Sequence, residues 1–188
     1  MHSKTKIAVV GSHGVGKTTL IEEILNRKLF TYDHIHGIPR TIISKGFPMG
    51  KSSTVDAYVN YIAAQFKAER AAMDSENSVL ISDRTTLDAT AYARVNALLP
   101  RPYVPDYFVE MLHEVWLKEA LLYDIVVFVP VEFPMKSDGI RDEDEKYRTD
   151  VGMEIEQLLL TDSIPFIKAT GSLDERVDTV LNRLKHLI

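Results

Sequence analysis

The segment Gly11-Ser12-His13-Gly14-Val15-Gly16-Lys17-Thr18 fits G-x-x-x-x-G-K-[ST]. In that spacing the glycines let the backbone curl until its N–H groups face a phosphate, and the helix that follows adds its positive end. Lys17 then reaches the β- and γ-phosphates, and the Thr18 hydroxyl can ligate Mg²⁺. Residues Gly11–Thr19, including Thr19 itself, are therefore the candidate site for Mg·ATP. A second element, Asp83-Arg84-Thr85, follows the apolar run Val79-Leu80-Ile81-Ser82. An aspartate at the carboxyl end of a parallel strand sits where open α/β sheets bind ligands. Asp83 could complete the Mg²⁺ shell or accept the proton of an attacking hydroxyl; its alternative is a turn or cap residue. Arg84 could hold a substrate, or serve as a structural arginine. Asp88 is either a second acid at the site or first-turn charge favoured by the helix dipole.

These residues need elements to position them, and the chain supplies strands alternating with helices. Ile7-Ala8-Val9-Val10 reads as a strand ending in the glycine-rich turn, with a helix over Lys17–Arg27. Extended structure is predicted near Tyr32–Gly37, followed by a helix over Thr54–Met73 with Val55, Tyr58, Val59, Ile62, Phe66 and Met73 as its apolar stripe. A helix is expected over Leu87–Leu98 after the strand ending at Asp83. Asp106 reads as the cap of a helix whose buried side carries Phe108, Met111, Leu112, Val115 and Leu122. Ile125–Val129, β-branched and continuous, reads as a strand covered on both faces. A further helix carries Val151, Ile155, Leu158 and Leu159, and Pro165–Lys168 is a last strand. Ser172 with Glu175 forms a capping box for the terminal helix, with Leu173, Val177, Val180, Leu181, Leu184 and Leu187 as its stripe. This alternation predicts an α/β fold in three layers, a parallel sheet of about five strands flanked by helices.

Composition narrows the function classes. With 188 residues the chain is one domain in size, and 45% apolar against 26% charged residues is an ordinary globular balance. The absence of cysteine excludes disulfides, thiolate metal sites and cysteine nucleophiles. A net charge of −5 counts against constitutive binding of duplex nucleic acid. No apolar run approaches a membrane span and no signal peptide opens the sequence, so a cytoplasmic location and no membrane partner are expected. There is no Asn-Lys-x-Asp guanine reader of the switch GTPases.

Gly11–Thr18, then Asp83-Arg84-Thr85-Thr86-Leu87-Asp88, then Asp138-Gly139-Ile140-Arg141 followed by Arg148, together resemble one branch of the P-loop kinases. It is the branch of nicotinamide riboside kinase domains and the related ATPase-like family of bacteria and phages, more distantly similar to deoxynucleoside and thymidylate kinases. The resemblance spans nearly the whole chain, in order. It implies a P-loop NTPase fold over 1–188 with a mobile lid at about 133–148, closing on ATP and acceptor. The sequence departs from the family pattern near Ile38-Pro39-Arg40, where relatives often carry a glutamate shortly before the arginine.

In such a lid Arg141 and Arg148 would close over the transferring phosphate, since phosphoryl transfer is stabilised mainly by cations and by excluding water. Their seven-residue spacing puts them on one face of a continuous helix; the alternative is a charged surface in which they pair with Asp142–Glu145. Lys136 is a third candidate. Phe133–Lys146 holds few apolar residues, so it is predicted to be mobile until phosphate oxygens order it. For the acceptor, Arg40 could clamp an acidic group, Gln65 could read a nucleobase edge, and Tyr92 or Phe47 could stack on a ring. Thr170-Gly171-Ser172 falls where related kinases pass the adenine. The expected acceptor is a small nucleoside- or nucleotide-like molecule. A hydroxyl within polynucleotide, or an ATPase switch without an acceptor, stands as the alternative.

Overall fold

The computed structural model describes residues 4–100, 104–134 and 144–187. Its centre is a five-stranded parallel sheet in the order β2-β3-β1-β4-β5, formed by β1 (Thr5–Val10), β2 (Tyr32–Ile35), β3 (Val79–Asp83), β4 (Ile125–Phe128) and β5 (Ile167–Lys168). Register is set along β1, where Ile7 faces Ile81 on one side and Ile125 on the other. All six residues of β1 are buried, as a central strand covered on both faces must be. The last strand is shorter than its apolar run suggested, because only Ile167 and Lys168 pair, opposite Val127 and Phe128.

Seven α-helices flank the sheet among the described residues. The odd-numbered positions of β1 and β3 face α1 (Lys17–Asn26) and α7 (Leu173–Leu184), where Ile7, Val9 and Ile81 meet Leu20, Ile24, Val177 and Val180. The even-numbered positions face α3 (Val55–Met73), α4 (Thr86–Ala97), α5 (Asp106–Ala120) and α6 (Glu145–Thr161). Trp116, Val151 and Ile155 pack under Ala8, Val10 and Phe128 there, while Leu80 meets Tyr58, Tyr61 and Leu112. The short α2 (Ile38–Ser44) closes this side beside α3. No helix among the described residues is long and apolar enough to cross a membrane.

Two expected helix faces are corrected. Val59, Phe66 and Met73 of α3 are 49%, 41% and 42% exposed, whereas Tyr58, Tyr61, Gln65, Glu69 and Ala72 are buried. The buried face of α3 carries polar groups because Lys6, entering from β1, needs an anionic partner, and Glu69 supplies it at 2.9 Å. In α5, Pro105 rather than Asp106 stands at the N-cap and Met111 faces solvent, while Leu122, read into its stripe, lies beyond the helix end and is exposed. Proline's fixed φ suits the position before the first turn, and Asp106 keeps its favourable place within that turn. The capping box of α7 closes: the Ser172 N–H donates to Glu175 Oε2 at 2.7 Å. Leu173 at the start of this helix and Leu187 beyond its end, both read into its stripe, are exposed.

Helix α6 starts at Glu145, capped by Asp144, so the helical face inferred for the two lid arginines is observed only at Arg148. Lys136, Gly139, Arg141 and most of the expected lid lie outside the described residues.

Candidate active site

Strand β1 ends where the chain crosses β4 at close range. At Gly11, φ is +151°, and a Cβ there would lie 2.5 Å from the Val129 carbonyl oxygen. Only glycine fits, and the chain turns at once into the loop. Gly16, with φ +88°, then caps α1. The N–H groups of the first turn of α1 have no partner within the helix, and the dipole makes this end attractive to anions. Lys17 folds back over the loop, its Nζ donating to the carbonyls of Gly11 at 2.8 Å and Ser12 at 2.6 Å. Thr18 is exposed beside it, its hydroxyl donating to Asp83 Oδ2 at 2.8 Å.

At the end of β3 the chain is strained. Arg84 has φ +81°, a left-handed conformation that costs a long side chain on the order of 1–3 kcal/mol. It is held there by several contacts: its N–H donates to Val9 O at 3.0 Å and Nη1 to Asp88 Oδ1 at 3.1 Å. The guanidinium also lies 5.6 Å from the Tyr92 ring centroid. Burial opposes the Arg84 charge, but Tyr92, Asp88 and Asp83 outweigh it and raise its pKa. Burial pushes the Asp88 carboxyl up, opposed by Arg84, Lys17 and the N–H groups of Thr85 and Gly11. Asp88 also completes a capping box with Thr85 at the start of α4. Asp88 therefore caps a helix and also lines the cavity.

Between these elements lies a cavity of about 750 Å³, the size of a small-molecule site. Its lining includes His13 through Thr19 of the phosphate loop, Asp83, Arg84 and Asp88, and His36, Arg40, Met49, Tyr58, Tyr61 and Tyr92, the last in contact with His13. Gly171, Ser172 and Arg176 line it as well. The cavity thus brings Lys17, Thr18, Asp83, Arg84, Asp88 and Arg40 together.

Three expected contacts are placed elsewhere. Gln65 is fully buried and outside the cavity lining; its Nε2 bonds Ser82 Oγ at 2.6 Å and Glu69 Oε1 at 2.9 Å. Ser82 Oγ donates in turn to the Arg84 carbonyl at 2.8 Å, so Gln65 stands behind the strained residue rather than facing an acceptor. Arg148 is also fully buried and does not line the cavity; it donates to the backbone of the phosphate loop from behind. Phe47 packs into the core beside α2, and Tyr92 presents its hydroxyl to the His13 N–H at 3.0 Å. Sequence reasoning missed Tyr58, Tyr61 and Arg176. Tyr58 reads in the sequence only as part of the apolar stripe of α3, Tyr61 falls outside that stripe, and a buried arginine on an amphipathic helix leaves no pattern signal.

Behind Arg84 the polar network reaches two buried carboxyls. Tyr123 Oη touches Glu69 Oε1 at 2.5 Å and Glu119 Oε1 at 3.0 Å, yet it has one proton to give. Glu69 is ionised against Lys6: burial raises its pKa, but hydrogen bonds from Tyr123, Lys6 and Gln65 bring it below the usual value. The remaining contact is satisfied if Glu119 is protonated and donates to Tyr123. Burial, with Glu69 nearby, pushes Glu119 up to about 7. A carboxyl raised on folding binds a proton that the unfolded chain has released, so its stabilisation is lost as pH rises from 4.5 through about 7. Glu119→Gln should abolish that loss. Thermal melts at about pH 5 and about pH 8 should show the variant gaining on the wild type by on the order of 2 kcal/mol at the higher pH. A constant difference between the two pH values would place the Glu119 titration in the unfolded range.

The donor set fits the groups expected here. Thr18 Oγ and an Asp83 carboxylate oxygen, adjacent at the cavity wall, are hard oxygen ligands of the kind Mg²⁺ takes alongside phosphates and water. Among the described residues no cluster of three or more His, Asp or Glu side chains could hold a metal ion by itself. The loop and the start of α1 suit a triphosphate.

A family model described as an AAA domain matches residues 6–176. No curated protein is detectably similar to the chain. Among solved structures, the NadR protein in complex with NR superposes with a TM-score of 0.78 at 19% identity, covering 99% of this chain and 52% of that one. The chain thus spans about half the length of NadR. Deoxyadenosine kinase from M. mycoides, with products dCMP and dCDP bound, gives 0.70 at 18% identity over 97% of this chain and 100% of that one. Thymidylate kinase from Candida albicans gives 0.67 at 17% identity, over 98% and 92% respectively. At these identities the likeness is one of fold, a P-loop kinase-like fold.

Proposed function

The chain belongs to the AAA domain family, whose model spans residues 6–176, and from that premise we propose that it is an ATP-dependent phosphotransferase. On this reading residues 1–188 form one kinase domain that moves the γ-phosphate of ATP to a hydroxyl of a nucleoside- or nucleotide-like acceptor. The observation that carries it is that a single cavity is lined by the phosphate loop, the Asp83-Arg84 pair and three tyrosines, Tyr58, Tyr61 and Tyr92.

The N–H groups of the loop and of the first turn of α1 hold the β- and γ-phosphates, and Lys17 exchanges its loop carbonyls for phosphate oxygens. Thr18 and Asp83 would hold Mg²⁺, which when bound neutralises charge on the phosphates. Asp83 also lines the cavity, where its carboxylate orients the acceptor hydroxyl or takes its proton. Arg84, kept charged and fixed by Asp88 and Tyr92, holds the acceptor against the γ-phosphate. Tyr58, Tyr61 and Tyr92 offer rings on which a flat base can rest, and Arg40 stands exposed at the rim. Arg141 remains part of this reading as a cation over the transferring phosphate.

The test is transfer itself. The protein is incubated with γ-labelled ATP and a panel of nucleosides, nucleotides, nicotinamide riboside and modified DNA. Label on one small nucleoside-like acceptor is the expected outcome. Label released as phosphate at one rate across the panel would make the protein an ATPase and end the kinase reading. Label on DNA, with steep salt dependence, would move the acceptor into polynucleotide.

A further inference from the structure

Resting on the reading of the phosphate loop as the ATP site, we infer that Arg148 and Arg176 are positioning residues that hold the loop in its phosphate-binding shape by its carbonyls. Five consecutive carbonyls, Gly11 to Val15, accept hydrogen bonds from cationic side chains. Lys17 and Arg84 take Gly11, and Lys17 takes Ser12. Arg148 gives Nε to the His13 carbonyl at 3.0 Å and Nη2 to the Gly14 carbonyl at 3.1 Å, while Arg176 gives Nη1 to Val15 at 3.2 Å.

The peptide geometry turns these contacts into a function. In a trans peptide the C=O of one residue and the N–H of the next point to opposite sides. Holding the carbonyls of His13, Gly14 and Val15 outward therefore aims the N–H groups of Gly14, Val15 and Gly16 the other way, toward the cavity that all three residues line. Among the described residues those N–H groups have no hydrogen-bond partner. When Lys17 leaves its carbonyls for a phosphate, the two arginines keep the last three carbonyls in place.

Neither arginine is placed as packing would require. Arg148 is fully buried and Arg176 is 3% exposed, a costly setting for a cation that an apolar side chain would fill more cheaply. Their remaining donors are held as well. Arg148 Nη1 reaches the Phe133 carbonyl at 2.9 Å and Glu145 Oε2 at 2.8 Å, and Arg176 pairs with Glu132 and gives Nε to the Gly171 carbonyl at 2.9 Å. Each guanidinium is thus fixed by a carboxylate and by a second backbone segment, so the loop is braced from α6 on one side and α7 on the other. A lysine at either position could not reach the same set, because its ammonium is one point rather than a planar fork.

The measurement is amide proton NMR on ¹⁵N-labelled protein titrated with Mg²⁺ and AMP-PNP. In the wild type, the Gly14, Val15 and Gly16 amides should shift downfield on binding. Arg176→Ala should lose the Gly16 response and bind AMP-PNP at least about tenfold more weakly, and added guanidinium ion should restore part of both. Arg148→Lys should lose the Gly14 and Val15 responses while keeping that of Gly16. A general loss of stability would not divide the amides in this way. If Arg176→Ala does not fold, Glu132→Gln keeps the guanidinium and removes its anion, and should weaken binding about threefold with a reduced Gly16 response. If Arg148→Lys does not fold, Glu145→Gln does the same for Arg148, with reduced Gly14 and Val15 responses. Variants that bind within about twofold of wild type with unchanged amide shifts would overturn the clamp while leaving the ATP site standing. A wild type that binds no AMP-PNP would overturn the ATP reading and the clamp with it.

Discussion

Lys17→Ala is expected to lower ATP-dependent transfer by about a thousandfold or more while the protein stays folded. Lys17 is buried, and its ammonium donates to the Gly11 and Ser12 carbonyls. On the proposed reading the same donors move to the β- and γ-phosphates when ATP enters. Alanine removes a full charge from the point where charge accumulates during transfer, and no neighbour can replace it. Arg84 is committed to Asp88, Arg148 holds the loop from behind, and Arg176, at the cavity edge, is tied to Glu132 and to the Val15 and Gly171 carbonyls. The stability cost should be much smaller, about 1–3 kcal/mol for two charge-assisted bonds to carbonyls that the other cations partly satisfy. A labelled-transfer assay with a thermal melt on the same preparation separates the two effects. Turnover retained to within about tenfold would remove Lys17 from the transferring phosphate.

Much of this was legible because the relevant signals are local. Gly11, Gly16, Lys17 and Thr18 are read from covalent spacing alone, and the short apolar runs at Ile7–Val10, Val79–Ile81 and Ile125–Val129 read as strands, the last as one covered on both faces. The alternation of strands with helical stripes led to the parallel sheet, and the likeness to nicotinamide riboside, deoxynucleoside and thymidylate kinases matches the folds found. What stayed hidden depends on partners far apart in sequence. Val59 and Phe66 make a convincing apolar stripe, yet α3 turns Gln65 and Glu69 inward because Lys6 and Ser82 wait there. Arg148 reads as a lid cation until its carbonyl partners, more than a hundred residues earlier in the chain, are in view. Arg176 is invisible for the same reason. Burial of a polar side chain is decided by what satisfies it, and that information lies in the fold.

Asp83→Asn carries the second large effect, a loss of about a hundredfold to ten-thousandfold in transfer to the acceptor. The substitution is nearly isosteric, and the asparagine carbonyl can still accept from Thr18, whose hydroxyl lies 2.8 Å away. The loop should therefore keep its shape, and nucleotide affinity measured without metal should hardly change. Two things are lost together. An amide oxygen carries no net charge for Mg²⁺, so half-maximal activity should need more of it. An amide also cannot take a proton from the acceptor hydroxyl, so saturating Mg²⁺ should recover only part of the rate. The two roles of Asp83 are thus read from one titration. Full recovery at high Mg²⁺ would make Asp83 a metal ligand alone. An unchanged Mg²⁺ requirement with a low rate at every concentration would make it the group that orients or deprotonates the acceptor. Normal turnover with an unchanged requirement would remove Asp83 from the chemistry, and the hydrogen bond from Thr18 would then be a structural tie between α1 and β3.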